Sequence, residues 1–366
     1  MIPVFDLTRE YKTIAAELTA AFTRTAKGGI FILGRNVSLF EKEFGRFVHV
    51  PYAVGLASGT DALTLALRAI GIHRGDEVVV PANSYPSAFG VSLSGATMKL
   101  VDVKSDGTMD PAKLQAACTS RTRAVIAVHL YGNPADLLSI RNVIRNKKIF
   151  LVEDGAQAHG AKIHGSPAGS LGDIGCFSFY PTKNLGALGD AGMVVTHRKD
   201  VADRIMRLRM YGETKRYKSI EISGTSRLDE LQAALLRVKL RHLNAWVSRR
   251  RDIAKHYIAG LTDIGDISCV HPPLRIGHCS FHLFVIRTKH RDALQKYLAA
   301  RLIGTAIHYP APIHFAKAFR NLGYRKGDFP VSEALSREIL SLPMFPLLTD
   351  SEVDTVTRTI RRFFRG

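Results

Sequence analysis

A chain of 366 residues, 46% hydrophobic with 30 glycines and 15 prolines, is long enough to bury a sizeable core in one large and one smaller domain. It contains no run of eighteen or more apolar residues, which excludes a membrane-spanning helix and leaves a folded, soluble protein. The net charge of +19 admits nucleic acid, a membrane surface or an acidic small substrate as partners. The excess is spread over helical stretches such as HRKDVADRIMRLRMYGETKRYK and LLRVKLRHLNAWVSRRRDIAK, with a short basic end, RTIRRFFRG. No zinc finger, aromatic RNP strand or basic region running into heptads accompanies it, so the expectation is a basic solvated surface rather than a nucleic-acid site.

The opening MIPVFDLTREYK lacks the basic and apolar regions of a signal peptide, which makes the cytoplasm the expected compartment. A short AVGLA strand leads into ASGTDALTLALRAIG, where small residues open an amphipathic helix. Strand and helix then alternate: DEVVVPA, helical PSAFGVSLSG, TMKLVDV, helical DPAKLQAAC, TRAVIAVHL, helical ADLLSIRNVIRN and KIFLVED. Several strands are nearly continuous apolar runs, as in a parallel sheet covered on both faces by crossover helices. FSFYPTKNLGALGDAGMVVT reads as two short strands joined by a glycine-punctuated loop. A long amphipathic helix, RLDELQAALLRVKLRHLNAWVSRRRDIAKHYIAG, bridges to a different texture. There PPLRIGHCSFHLFVIRT, a helix from about Asp292 and IGTAIHYPAPIH suggest a smaller α+β domain. The predicted division is a large domain over 1–245 and a small C-terminal domain over 246–366. Cys118, Cys176, Cys269 and Cys279 are widely spaced with no C-x-x-C pair, so neither a disulfide framework nor a zinc cluster is expected.

Ligands of open α/β sheets collect where strands end and helices begin. Gly59 and Thr60 open the helix after AVGLA, where free amides and a hydroxyl suit phosphate or serve as ordinary capping. Tyr85 stands at the entrance to the helix after DEVVVPA, placed to stack on a planar ligand or to pack as a wall. In VEDGAQAHGA a strand delivers Asp154 to its end, with Gln157 one turn on; a buried carboxylate there needs a cationic partner or several donors. Ser178 ends the next strand and Lys183 sits in the loop that follows. In the order Thr60, Tyr85, Asp154, Ser178, Lys183, the chain supplies every contact that pyridoxal 5′-phosphate asks for: an amine for its aldehyde, a carboxylate for its ring nitrogen, an aromatic for its ring, and amides and hydroxyls for its phosphate.

Over essentially its whole length, through FDLTREY, ILGRNVSLFEKEF, ASGTDAL, VEDGAQAHGA, FSFYPTKNLGALGDAG, SRLDELQAALL and IHYPAPIH, the chain resembles the DegT/DnrJ/EryC1/StrS sugar aminotransferases. The resemblance implies an α/β, aspartate aminotransferase-like (fold type I) large domain with a mostly parallel sheet. It implies Lys183 as the Schiff-base lysine, Asp154 as the partner of the ring nitrogen and Gln157 at the phenolic oxygen. Gly59, Thr60 and Ser178 would hold the phosphate, and Tyr85 falls at the stacking position. It also implies a homodimer with shared active sites, and transamination rather than dehydration, since the lysine is kept. The substrate would be a nucleotide-linked keto sugar, closest to dTDP-3-keto-6-deoxyhexose aminated at C3, with L-glutamate as donor. Amination at C4, another fold type I reaction and a regulatory nucleic-acid-binding role are the alternatives. Two departures stand out: Thr225 occupies the place where the family has an asparagine reaching the partner's cofactor phosphate, and Gly155 replaces a more usual alanine. His308, Tyr309 and His314 are candidates for the sugar pocket, the histidines reading equally as packing residues; their spacing is not that of a metal site.

Overall fold

The computed structural model describes residues 1–271 and 277–366. The start of the PPLRIGHCSFHLFVIRT stretch, 272–276, lies outside the described residues.

Two helices open the chain, α1 (Leu7–Gly28) and α2 (Arg35–Phe47), followed by β1 (Tyr52–Leu56) and α3 (Gly59–Ala69). The alternation continues through β2 (Glu77–Pro81), α4 (Tyr85–Ser94), β3 (Thr97–Val101), α5 (Pro111–Ala117), β4 (Thr122–Val128), α6 (Leu137–Ile144) and β5 (Phe150–Asp154). A hairpin of β6 (Lys162–Ile163) and β7 (Ser166–Pro167) precedes β8 (Ile174–Ser178), β9 (Gly192–Thr196) and α7 (Lys199–Leu208). The seven long strands form one sheet in the order β1-β9-β8-β5-β4-β2-β3. β3, β2, β4, β5 and β8 run parallel, while β9 is antiparallel to both β8 and β1. The valine run of β2 shows why these strands lack polar alternation. Val78 and Val80 pack on one face with Leu63 and Ala88, and Val79 packs on the other with Leu114 and Ile140.

The expectation that the basic stretch stays helical through Lys218 is corrected. α7 ends at Leu208, and β10 (Glu213–Lys215) and β11 (Lys218–Ser219) form a hairpin. Tyr211 and Gly212 have positive φ of 55° and 68°, and a side chain at Gly212 would place its Cβ 1.8 Å from the carbonyl oxygen of Glu221. That left-handed turn stops the helix.

α8 (Glu230–Leu261) runs unbroken across residue 245, so the expected division falls inside a helix. Its first half packs Ala233, Leu236 and Leu243 among Phe177 of β8 and Phe179 and Leu185 of the loop after it. Its second half packs Ile253, Tyr257 and Leu261 against a second core. That core is built on the antiparallel sheet of β12 (Ser268–Cys269), β13 (Phe284–Arg287) and β14 (Ile339–Leu342), with α9 (Arg291–Ala299) and α11 (Asp350–Arg365). α10 (Pro330–Glu338) precedes β14. The N-terminus joins this side, since Ile2 bridges to Ile303 and Val4 accepts from the Met344 N–H.

Candidate active site

The parallel strands deliver their C-terminal ends to a cavity of about 310 Å³. Gly59, Thr60, Asp154, Gln157, Ser178 and Lys183 all line it, with Tyr309 on the far side in sequence. Residues from α3, β5 and β8 and from the loops that follow the two strands, chosen in the sequence for their chemistry, therefore meet at one place.

Asp154 is the last residue of β5 and 5% exposed. Its Oδ2 accepts a 2.6 Å hydrogen bond from the Ser87 hydroxyl, and its Oδ1 accepts from the Ala156 N–H at 3.1 Å. The pleat turns its neighbour the other way. Glu153 is fully buried, bonded to His129 Nε2 at 2.9 Å and to the amides of Gly169 and Leu171. Burial alone would raise the Glu153 pKa; His129 and the loop amides outweigh it and hold the carboxyl below its ordinary range. One carboxylate anchors a loop, and the other faces the cavity.

Lys183 follows from a turn that doubles back between β8 and β9. The Lys183 N–H donates to the Tyr180 carbonyl at 2.8 Å and the Ala187 N–H to that of Phe179 at 2.7 Å. Gly186 is required there, because a Cβ would lie 2.2 Å from the Pro181 carbonyl oxygen. Asn184 ties the turn down through a 2.9 Å bond from Nδ2 to the Ser280 carbonyl. Burial pushes the half-buried Lys183 amine down to about 8, against the upward pull of Asp154. At pH 7 about a tenth of such an amine is unprotonated, far more than for a lysine at its ordinary value, and that share is nucleophilic.

The start of α3 forms a third wall. Ser58 caps it by accepting from the Asp61 N–H at 3.1 Å, and the earlier amides of the first turn lack intrahelical acceptors. A Cβ at Gly59 would lie 2.6 Å from that of Ser178, and one at Gly192 2.2 Å from the Ser58 carbonyl oxygen. Glycine at both places lets the helix start close onto the ends of β8 and β9. Amides, two hydroxyls and a helix N-terminus converge there as an anion cradle. On the opposite wall, Gln157 Oε1 accepts from the Tyr131 N–H at 2.6 Å, which leaves its Nε2 near the Tyr309 hydroxyl at 3.4 Å.

Other expected residues lie apart from the lining. Tyr85 is 36% exposed at the rim, its ring edge-on to Phe89 and 6.3 Å from that of Tyr309. Thr225 is exposed on a segment that bridges to Met210, while the adjacent Ser226 turns inward to bond Asp61. His308 bonds Ser341 through Nδ1 at 2.9 Å, and burial lowers its pKa to about 4. His314 is buried, bonded to Glu333 at 3.2 Å and packed on Phe329, which is the packing alternative left open for it. Gly155 has a local reason: a Cβ would meet Phe177 Cε1 at 2.8 Å. Ser87 was not singled out in the sequence, although it lies in the same PANSYPSAF stretch as Tyr85. Its only signal was a second serine one turn after Ser84, to which it is bonded at 2.6 Å. Among the described residues there is no cluster of three or more potential metal ligands.

Comparison with known proteins agrees with this geometry. The model of the DegT/DnrJ/EryC1/StrS aminotransferase family matches residues 12–361. The chain is 41% identical to the dTDP-3-amino-3,4,6-trideoxy-alpha-D-glucose transaminase of Streptomyces venezuelae, over 99% of this chain and 96% of that one. It is also 41% identical to the UDP-N-acetyl-3-dehydro-alpha-D-glucosamine 3-aminotransferase of Acidithiobacillus ferrooxidans, over 100% of this chain and 98% of the other. The crystal structure of S. venezuelae DesV in complex with a ketimine intermediate superposes with a TM-score of 0.96 at 40% identity, covering 100% of this chain and 99% of that one.

Proposed function

This chain belongs to the DegT/DnrJ/EryC1/StrS aminotransferase family, and from that premise we propose that it aminates C3 of a nucleotide-linked keto sugar, with pyridoxal 5′-phosphate as cofactor and L-glutamate as amino donor. The observation that carries the reading is the meeting of the Lys183 amine, the Asp154 carboxylate and the α3 anion cradle around one cavity. When bound, the cofactor supplies an aldehyde for an amine and a ring that takes up the electron pair left at the donor's α-carbon. The cavity's residues fit such a group. Gly59, Thr60 and Ser178 would hold its phosphate, Asp154 its protonated ring nitrogen, and Gln157 Nε2 its phenolic oxygen. Tyr85 would close the rim by stacking.

Lys183 serves first as the anchoring amine and then as the base that carries a proton away from the donor's α-carbon, both of which need its neutral form. The Ser87 hydroxyl keeps Asp154 aimed. Tyr309 borders the sugar side of the pocket, and His308, its neighbour in the chain, is held behind it on Ser341. Both relatives named above carry their nitrogen at C3, one on dTDP and the other on UDP, which supports C3 over C4; we take dTDP-3-keto-6-deoxyhexose as the substrate. A homodimer with shared sites is part of the same reading. Thr225 is exposed on one surface, as a residue serving a partner's phosphate must be, and Ile30 and Phe31 are 61% and 47% exposed. Among the described residues no helix is long and apolar enough to cross a membrane, in keeping with work in the cytoplasm.

The test is the visible absorption of the purified protein with added pyridoxal 5′-phosphate. A visible band should appear, vanish with L-glutamate, and return with a dTDP-3-keto sugar but not its 4-keto isomer. Lys183→Ala should give no such band. A wild-type protein without the band would overturn the cofactor assignment, and a band indifferent to glutamate would overturn the donor.

A further inference from the structure

Lys239 lies in the basic LLRVKLRHL run that the sequence assigns to a solvated surface, yet it is only 3% exposed. Burying an ammonium group in a helix that otherwise presents Leu236, Val238 and Leu243 to apolar neighbours is costly unless the charge is paired and its donors are used. Both conditions are met. Nζ lies 2.6 Å from Glu10 Oε1 of α1, a residue itself 8% exposed, and donates to the Gly186 carbonyl at 2.8 Å. Gly186 belongs to the tight turn that carries Lys183 three residues earlier.

Three side chains tie the turn to its surroundings, one from within it and two from α8. Asn184 reaches the Ser280 carbonyl from within, Gln232 Oε1 accepts from the Leu188 N–H, and Lys239 holds Gly186 from behind. Of these, only the Lys239 contact sets a charged pair against the segment between Pro181 and Gly186, where a Cβ at Gly186 would lie 2.2 Å from the Pro181 carbonyl oxygen. An apolar residue at 239 would fill the space and leave the Gly186 carbonyl without its donor. The choice of lysine therefore makes sense as a fixing of that carbonyl.

We propose that the Glu10–Lys239 pair is a positioning device for Lys183, holding the turn so that the Lys183 amine stays at its depth in the cavity. The proposal rests on Lys183 being the reacting amine. The ionisable groups that face this amine are Asp154 at the end of β5, His159 after it, His282 ahead of β13 and His308 before Tyr309. The three histidines are held neutral by burial, so Asp154 supplies the compensating charge and depth supplies the downward shift.

The experiment reads the amine without cofactor. The full-length chain, stripped of any cofactor, is exposed to a small acylating reagent across a pH series, and the rate at Lys183 is followed by peptide mass. The wild-type midpoint is expected near 8. In Lys239→Met the turn relaxes toward water and the midpoint rises by about one unit, so that labelling at a fixed lower pH slows roughly tenfold. Because Lys239→Met leaves the Glu10 carboxylate buried and unpaired, Glu10→Gln/Lys239→Met is measured alongside it as a variant in which neither member of the pair is charged. A folded double variant with an unmoved midpoint overturns the proposal and leaves the pair a packing feature, whatever its melting temperature. Absence of transaminase activity would not touch this readout.

Discussion

Lys183 and Asp154 act on each other across the cavity before any ligand arrives. The carboxylate raises the pKa of an amine that burial has lowered to about 8. Asp154→Asn should therefore move the Lys183 midpoint further down, making the amine more often neutral, while turnover falls by about 10²-fold because the ring nitrogen loses its anionic partner. Opposite signs for amine reactivity and turnover separate this role from a general loss of structure; a midpoint that stays near 8 would show that the carboxylate does not reach the amine. In the cofactor-free wild-type chain, the rate at which Lys183 captures added pyridoxal 5′-phosphate should climb as pH rises through about 8, since only the neutral amine attacks the aldehyde. Ser87→Ala removes a 2.6 Å bond but leaves the Ala156 amide on Oδ1, so its cost is put at about 1 kcal/mol, or some fivefold in rate. An unchanged rate would mean that the amide alone aims the carboxylate. Gly155→Ala presses a methyl group to 2.8 Å from Phe177 Cε1, and overpacking of this kind costs about 1–3 kcal/mol, readable as a lower denaturant midpoint.

At the scale of elements, α10 shows how the large sheet and the C-terminal region are joined. The helix starts with Pro330 and has no capping side chain of its own. Asp102, just past the end of β3, accepts from the Val331 and Ser332 amides at 3.1 and 2.9 Å and from the Ser332 hydroxyl, and pairs with Lys113. Asp102→Ala should cost about 1–3 kcal/mol in chemical denaturation. A loss no larger than that of Lys113→Ala would locate its worth in the ion pair instead of the cap. The sequence could not disclose this link, because a cap from residue 102 to residue 331 has no local signature. The alternating strands and helices were legible because Val78, Val79 and Val80 need a sheet covered on both faces. α8 was legible from its length and periodicity. The end of α7 was not, because its apolar period carries on into residues that a left-handed Tyr211–Gly212 pair turns aside. In the site, Asp154 and Ser178 stood out as polar residues ending apolar strands, and Lys183 as an amine in the glycine-punctuated loop that follows. Ser87 and Lys239 did not, a serine in a helix and a lysine in a basic run being ordinary until folding buries them.

The whole molecule carries a net charge of +19 and, in its interior, several histidines held neutral. His159 is 1% exposed and wedged against Phe177 and Phe179 at 5.3 and 5.5 Å; burial lowers its pKa to about 3. His271, whose ring bonds the Leu283 carbonyl, is lowered to about 4, and His282 falls well below its ordinary value, again through burial. As pH drops below about 6.5 the unfolded chain takes up protons at these sites and the native chain does not, so stability falls from there toward pH 4. At pH 5 each such histidine costs roughly 2 kcal/mol relative to neutral pH. Self-repulsion of the positive surface acts in the same direction, because acid also neutralises carboxylates. Salt separates the two contributions, since it screens exposed charges and leaves a buried imidazole untouched. The expected outcome is a denaturation midpoint that falls between pH 7.5 and pH 5, recovers only in part when salt is added, and falls less steeply in His159→Phe. That replacement keeps the aromatic packing and removes the protonation site. If its pH dependence at high salt matched that of wild type, the acid sensitivity would belong to the surface charge rather than to the interior.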